Sequence, residues 1–219
     1  MDYILEDKKK IPIVDKKEVV IVGGGTAGLI AAIAAKRNGA NVTLIEKSFN
    51  IGGHIINGPL EAIMTFHDEK KQIIKGIPQE LIQRLIEKGG AIGHIKDDAG
   101  YCKTITPIDP EIMKLVTFQM LEEEDITVYL DTLLVDVVKD NKKINTIIVE
   151  NKSGRQAIQG EVFIDASGDG DLCALAGAEF MKGRETDNLT QPLTLLFRVE
   201  NINKEKLIEY VKKNKENFK

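Results

Sequence analysis

The chain has 219 residues, 42% apolar and 29% charged, an ordinary balance for one large globular domain or a domain with an added lobe. A formal net charge of -4 with scattered lysines argues against nucleic acid as the main partner. The isolated Cys102 and Cys173 exclude a disulfide framework and a cysteine zinc site, and no apolar run is long enough to span a bilayer.

The opening MDYILEDKKK lacks an apolar signal core, so the expected compartment is a reducing cytoplasm. Lys8–Lys10 read as a solvated arm. Lys17–Val22, KEVVIV, is continuous and β-branched, the pattern of a buried parallel strand. A glycine turn follows, and Thr26–Asn38 then reads as a helix stopped at NGA. Asn41–Ile45 is a second buried strand, and strand, helix and strand together make a βαβ unit.

Residues 49–59 read as a glycine-rich loop over the sheet. Residues 78–88 predict an amphipathic helix opened by Pro78 and stopped at Gly89-Gly90. Residues 93–106 show no clear period. Residues 109–124 predict a helix with Asp109 as N-cap and Pro110 in its first turn. Four short strands are expected at 127–130, 132–139, 144–150 and 156–159, divided by the turn sequences DNKK and NKSGR. Residues 161–165 return to the buried style, 169–177 look helical, 193–199 read as a strand, and a Lys/Glu-rich helix starts at Lys204.

The glycines after the first strand carry the chemistry. Gly23, Gly25 and Gly28 fit G-x-G-x-x-G in the context that gives the pattern meaning, after a strand and opening a helix. Gly23 permits the tight turn, Gly25 lets a phosphate approach the backbone, and Gly28 lets helix and strand lie close. First-turn N–H groups and the helix dipole then favour a diphosphate. Glu46 closes the second strand, where a carboxylate accepts hydrogen bonds from ribose hydroxyls and repels a 2′-phosphate, disfavouring NADP. Gly24 has no assigned role.

Further motifs extend this pattern: EKSFNIGGHIINGP, TFH at Thr65–His67, GIPQE at Gly76–Glu80, IDPE at Ile108–Glu111, IDASGDGDLCALAGAEF and LTQPLTLLFRV. From about Ile11 to Val199 the sequence resembles FAD-dependent oxidoreductases of the glutathione reductase–fumarate reductase superclass. Within it, the resemblance is to the bacterial family usually called simply FAD-dependent oxidoreductase. It implies FAD as cofactor, with Gly23, Gly25, Thr26, Ala27 and Gly28 on the pyrophosphate and Glu46 on the adenosine ribose. Lys47 would flank the adenosine, and Gly52 and Gly53 would bring backbone close to the phosphate–ribityl region. Leu134 would meet the adenine edge, and Ala166, Ser167 and Gly168 match a turn beside the adenosine. Thr26 departs from a common Pro, and Ser167 from a common Thr.

The expected fold is therefore α/β: a Rossmann-like parallel sheet of the FAD/NAD(P)-binding type with an antiparallel β-meander inserted at about 127–160. The FAD-binding domain is placed at 1–183 and the start of a cap region at 184–219. His54 falls where the resemblance puts the flavin ring. An imidazole there could hydrogen-bond the flavin or move a proton, although a loop histidine more often has no chemical role. His67, followed by Asp68, reads more as a brace for a turn than as a chemical group, and His94 as a histidine without a chemical role. DASGDG partly mimics a calcium loop, but Ala176 stands where the bidentate Glu belongs. No cysteine follows the Glu46 loop, so a redox dithiol is excluded.

Members of the resembled family are longer and carry a second carboxyl-terminal flavin contact not found here. The expectation is an amino-terminal half: an FAD-dependent oxidoreductase portion passing hydride through flavin N5. The alternative is an FAD- or NAD-binding module, or a split-enzyme subunit, without turnover of its own. The expected partners are a small-molecule substrate or an electron donor or acceptor, together with a second chain or copy supplying the missing half. No nucleic acid, membrane or metal is expected, and no catalytic residue is assigned.

Overall fold

The β-branched run before the glycine turn builds the central strand. In the computed structural model, which describes residues 4, 8–58, 60–69, 71–98 and 100–218, the run forms β1 (Ile13–Val22). It is followed by α1 (Thr26–Arg37), β2 (Val42–Ile45), α2 (His54–Asn57), β3 (Ala62–Met64), α3 (Ile77–Glu87), β4 (Ile95–Lys96) and β5 (Thr104–Pro107). Next come α4 (Pro110–Glu123), β6 (Thr127–Tyr129), β7 (Leu133–Asp140), β8 (Lys143–Asn151), β9 (Gly154–Asp165), α5 (Asp171–Leu175) and α6 (Lys204–Lys213). A 3₁₀ turn at Lys215–Phe218 follows. Most of the reading of residues 1–7, and Pro59 at the end of the expected loop, lie outside the described residues.

Six strands form one sheet in the order β6-β2-β1-β9-β8-β7. The first four run parallel, while β8 and β7 continue the sheet antiparallel to β9. This is the Rossmann-like sheet with an antiparallel meander. β6, grouped with the meander in the sequence reading, instead pairs parallel to β2 with Leu44 opposite Val128. The meander therefore consists of β7, β8 and the first half of β9. A separate three-stranded sheet, β3-β5-β4, lies between the βαβ unit and α4 in sequence.

Alternation along β1 distributes the core to two faces. Ile21 joins Leu29 and Ile33 of α1, Leu85 of α3 and Met113 and Met120 of α4 in one buried cluster. Val20 and Val22 point the other way and join Ile147, Val149, Ile158 and Leu172, which belong to the meander and α5. The three long helices are also tied by charge at their outer ends. Arg37 reaches Glu80 at 2.7 Å and Glu124 at 2.6 Å, and Arg84 reaches Glu123 at 2.7 Å. The Arg37 hydrogen bonds, with those of Arg84, outweigh partial burial and hold the Glu80 carboxyl below its usual range. These pairs are solvent-exposed, so each contributes at most about 1 kcal/mol.

Helix boundaries follow the capping chemistry. Asp109 caps α4, its carboxylate accepting from the N–H groups of Glu111 and Ile112, with Pro110 in the first turn. β1 starts before Lys17 because residues 13–16 pair with the first half of β9, a half-exposed stretch whose charges hide its strand character. The two strands expected at 156–159 and 161–165 form one strand. Gly160, which reads as a break, lies inside it, and a Cβ there would fall 2.8 Å from Val20 Cγ2 and 2.9 Å from Phe163 Cζ. The loop expected at 49–59 contains the short α2.

The strand expected at 193–199 does not form. Its alternation is real, but no described strand pairs with it, and Leu193 is 100% exposed. α6 buries no residue. No helix among the described residues is long and apolar enough to cross a membrane.

Candidate functional site

The turn between β1 and α1 is shaped by three glycines with three different reasons. Gly23 has φ of +103°, and a Cβ on it would sit 2.2 Å from the carbonyl oxygen of Ala166. A Cβ on Gly28 would lie 1.8 Å from the carbonyl oxygen of Gly23, so this glycine sets how closely α1 approaches the strand. At Gly25 the nearest atom to a built Cβ is Gly53 Cα at 3.9 Å, so the protein itself leaves that position open. Gly24, unassigned from sequence, is also constrained: a Cβ would meet Ile51 Cδ1 at 2.6 Å and Glu46 Cβ at 2.9 Å. α1 then opens at Gly25 with no side-chain cap, which leaves its first-turn N–H groups without intrahelical acceptors.

Glu46 stands at the tip of β2 and is only 7% exposed. Its Oε2 accepts from Gly24 N–H at 2.6 Å and its Oε1 from Ser48 N–H at 2.8 Å. Its backbone is fixed as well, donating to Tyr129 O and accepting from Thr132 N–H. Each carboxylate oxygen retains acceptor capacity after these bonds.

These elements surround a cavity of about 830 Å³. Gly23, Gly25, Thr26 and Ala27 line one part of it, and Glu46 and Lys47 another. Gly52 and Gly53 contribute further backbone, and Ala166, Ser167 and Gly168 come from the turn after β9. A narrow extension carries Thr132, Leu133 and Leu134 beside Glu46, Lys47 and Ser167. Every residue that the sequence analysis assigned to the cofactor thus falls at this cavity or its extension except Gly28, which packs behind the turn. A groove of similar volume, about 820 Å³, runs between α3 and α4. Its lining of Glu80, Gln83, Arg84, Glu87 and similar side chains offers no glycine turn or helix start, so it lacks the features of a phosphate site.

The turn after β9 is organised by Asp165. Its carboxylate accepts from the Ser167 hydroxyl at 2.6 Å, Ser167 N–H at 3.1 Å and Cys173 N–H at 2.8 Å. Burial pushes this carboxyl up, but those hydrogen bonds together hold it below its ordinary value. Ala166 N–H donates to Val22 O at 2.8 Å, fastening the turn to β1.

The histidines divide clearly. His94 is held by Thr106 Oγ1 at 2.7 Å and Gln79 Oε1 at 2.9 Å, and burial followed by the nearby His67 lowers its pKa. His67 contacts Thr104 Oγ1 at 3.2 Å. His54 lines the cavity, and its imidazole has no hydrogen-bond partner among the described residues. The sequence reading missed Lys114, which lines the cavity from α4 while its Nζ lies 2.7 Å from Glu111 Oε1. The available signal was its place one turn into the helix that IDPE opens.

Residues 18–219 match the model of a family described as FAD dependent oxidoreductase. The chain is 34% identical over 112 residues to the NADH:fumarate oxidoreductase of Klebsiella pneumoniae (strain 342), covering 50% of this chain and 12% of that protein. A geranylgeranyl bacteriochlorophyll reductase-like protein from Thermoplasma acidophilum superposes with a TM-score of 0.55 at 17% identity, covering 75% of this chain and 43% of that one. THI4 from Thermovibrio ammonificans gives a TM-score of 0.52 at 18% identity over 77% of this chain and 67% of its own. At such identities the two structures establish the fold. The chain spans less than half the length of the first two of these relatives.

The glycine geometry separates folding from binding. Gly28→Ala should destabilise the protein by about 3 kcal/mol or more through backbone collision. Gly25→Ala should keep near-parental thermal stability yet lose dinucleotide affinity about tenfold. Melting curves with equilibrium titration check this, and equal destabilisation of both variants would remove the distinction. Asp165 predicts an acid dependence. A depressed folded-state pKa stabilises above the unfolded value of about 3.9 and is lost as pH falls through the folded value. Asp165→Asn should lower stability by about 1–2 kcal/mol at neutral pH and flatten the loss below about pH 4. Urea midpoints at the two pH values measure both effects, and an unchanged acid limb contradicts the assignment.

Proposed function

The chain belongs to the FAD-dependent oxidoreductase family, and we propose that it forms the FAD-binding portion of an oxidoreductase acting on a small molecule or electron partner. The observation that carries this reading is the open backbone at Gly25, one residue from Gly24, whose N–H donates to the buried Glu46 on the neighbouring strand. The cavity of about 830 Å³ lies within the range of cofactor sites. The fit is to a dinucleotide: bare N–H donors at the helix start suit a diphosphate, and an anchored carboxylate suits ribose hydroxyls.

When bound, FAD supplies hydride transfer at N5 of its isoalloxazine ring. The protein's part is to hold and orient it. In this proposal Gly25, Thr26 and Ala27 hold the diphosphate, and Glu46 the adenosine ribose. Leu134 in the narrow extension borders the adenine, with Lys47 and the Ala166–Gly168 turn beside the adenosine. Gly52 and Gly53 approach the phosphate–ribityl region, and Gly28 acts only through packing.

A second reading is favoured by one observation. Leu193, Leu195 and Phe197 are strongly exposed and α6 buries nothing, so an apolar surface stands uncovered. It supports a binding portion that turns over only when a further segment, a second chain or a second copy covers that surface. The unpaired thiols of Cys102 and Cys173 support a reducing compartment such as the cytoplasm.

Purified protein titrated with FAD should show quenched flavin fluorescence and saturable binding. Glu46→Ala should weaken that affinity about tenfold through lost charge-assisted hydrogen bonds. Unchanged affinity would take Glu46 out of the site, and binding of NAD with none of FAD would replace the cofactor reading.

A further inference from the structure

The cavity is lined by a cation that the glycine turn does not account for. Lys114 reaches it from α4, and its side chain is 27% exposed. Its ammonium is engaged by Glu111, 2.7 Å away, whose side chain is 76% exposed and lies outside the cavity lining. A solvent-facing i,i+3 pair on a helix is a weak interaction. A lysine bonded to a phosphate oxygen in a partly desolvated site is held more strongly.

The surroundings favour that exchange. The helix beneath Lys114 is anchored: Met113 is fully buried, and the Thr117 hydroxyl bonds Lys114 O at 2.9 Å and lies 3.4 Å from Ile51 O. Only the side chain need move. The other charged groups lining the cavity are Glu46, Asp169 and Lys47, with the titratable His54 beside them. The carboxylates carry the same sign as a diphosphate, and the helix start supplies only a partial positive charge against it. Lys47 supplies one full positive charge to this cavity, and Lys114 supplies a second against the two carboxylates and an entering diphosphate.

We propose that Lys114 is a diphosphate ligand of this cavity, held by Glu111 until a dinucleotide arrives and then exchanged from carboxylate to phosphate. The inference rests on the proposed dinucleotide site. Lys114 binds the ligand, while Glu111 acts through Lys114 as a positioning residue.

The test is a double-mutant cycle on the full chain, with FAD and ADP as probes in equilibrium titrations. Lys114→Met should weaken both about tenfold, with the loss shrinking as salt is raised, and Lys114→Arg should recover most of it. Glu111→Gln should tighten binding a few-fold in the parent, and this gain should vanish in the Lys114→Met background. Parental affinity in Lys114→Met, or a Glu111→Gln gain that survives without Lys114, overturns the proposal and leaves the FAD reading standing. If the parent chain binds neither probe, the cofactor reading falls and this inference with it.

Discussion

The site depends on how closely three backbone segments approach one another where β1 ends. Gly23 N–H donates to Ile45 O at 2.7 Å, and Ala166 N–H donates to Val22 O at 2.8 Å, so three strand tips are fastened at one level. Gly28 then brings α1 against Gly23 with no room for a methyl group. Gly52 N–H donates to Gly24 O at 2.8 Å and adds a fourth segment. A cavity floored by main chain results, and main chain offers donors that do not have to be ordered when a ligand arrives. The entropy that glycine loses on folding is the cost of this floor.

Most of that arrangement was legible because each piece has a local signature. A β-branched run, a glycine turn and a carboxylate at the next strand's tip follow from short-range sterics and hydrogen bonding. Asp109 with Pro110 fixed a helix start for the same reason. Other features depend on what lies across the sheet. Gly160 reads as a break until Val20 and Phe163 are seen against it, where it becomes a close-approach residue inside a strand. Residues 13–16 read as surface until β9 supplies their partners. Lys114 was missed because its place one turn into α4 is a faint signal: one lysine there does not say which way the helix faces. Only the fold brings it to the cavity that Gly25 and Gly53 also line.

The misreading at 193–199 has a different cause. Alternating apolar residues state that one face of a segment will be buried, but not by what. A strand also needs a neighbour to take its N–H and C=O groups. Among the described residues none does so here, and the one ion pair there that joins this stretch to the body of the domain runs from Arg198 to Glu61. The same physics explains α6, whose Leu207 and Ile208 form an apolar face that touches no core. The sequence pattern marks these residues as suited to burial, and the structure leaves them exposed.

Glu46 poses an electrostatic problem for the proposed diphosphate site, because it places a carboxylate in the same cavity. Its two backbone hydrogen bonds, from Gly24 and Ser48, resolve much of it. They compensate the desolvation of a nearly buried charge and fix the carboxylate against the turn. The acceptor capacity that remains is of the wrong sign for phosphate and the right kind for hydroxyl donors. Gly24 must lack a side chain for this to work, since its N–H and the carboxylate would otherwise be held apart by a methyl group pressed into the Glu46 stem. The middle glycine of the turn, which no phosphate contact requires, is thus explained by the acidic residue on the next strand. The proposed phosphate contact at the bare N–H groups and the proposed hydroxyl contact at the carboxylate would both follow from one backbone geometry.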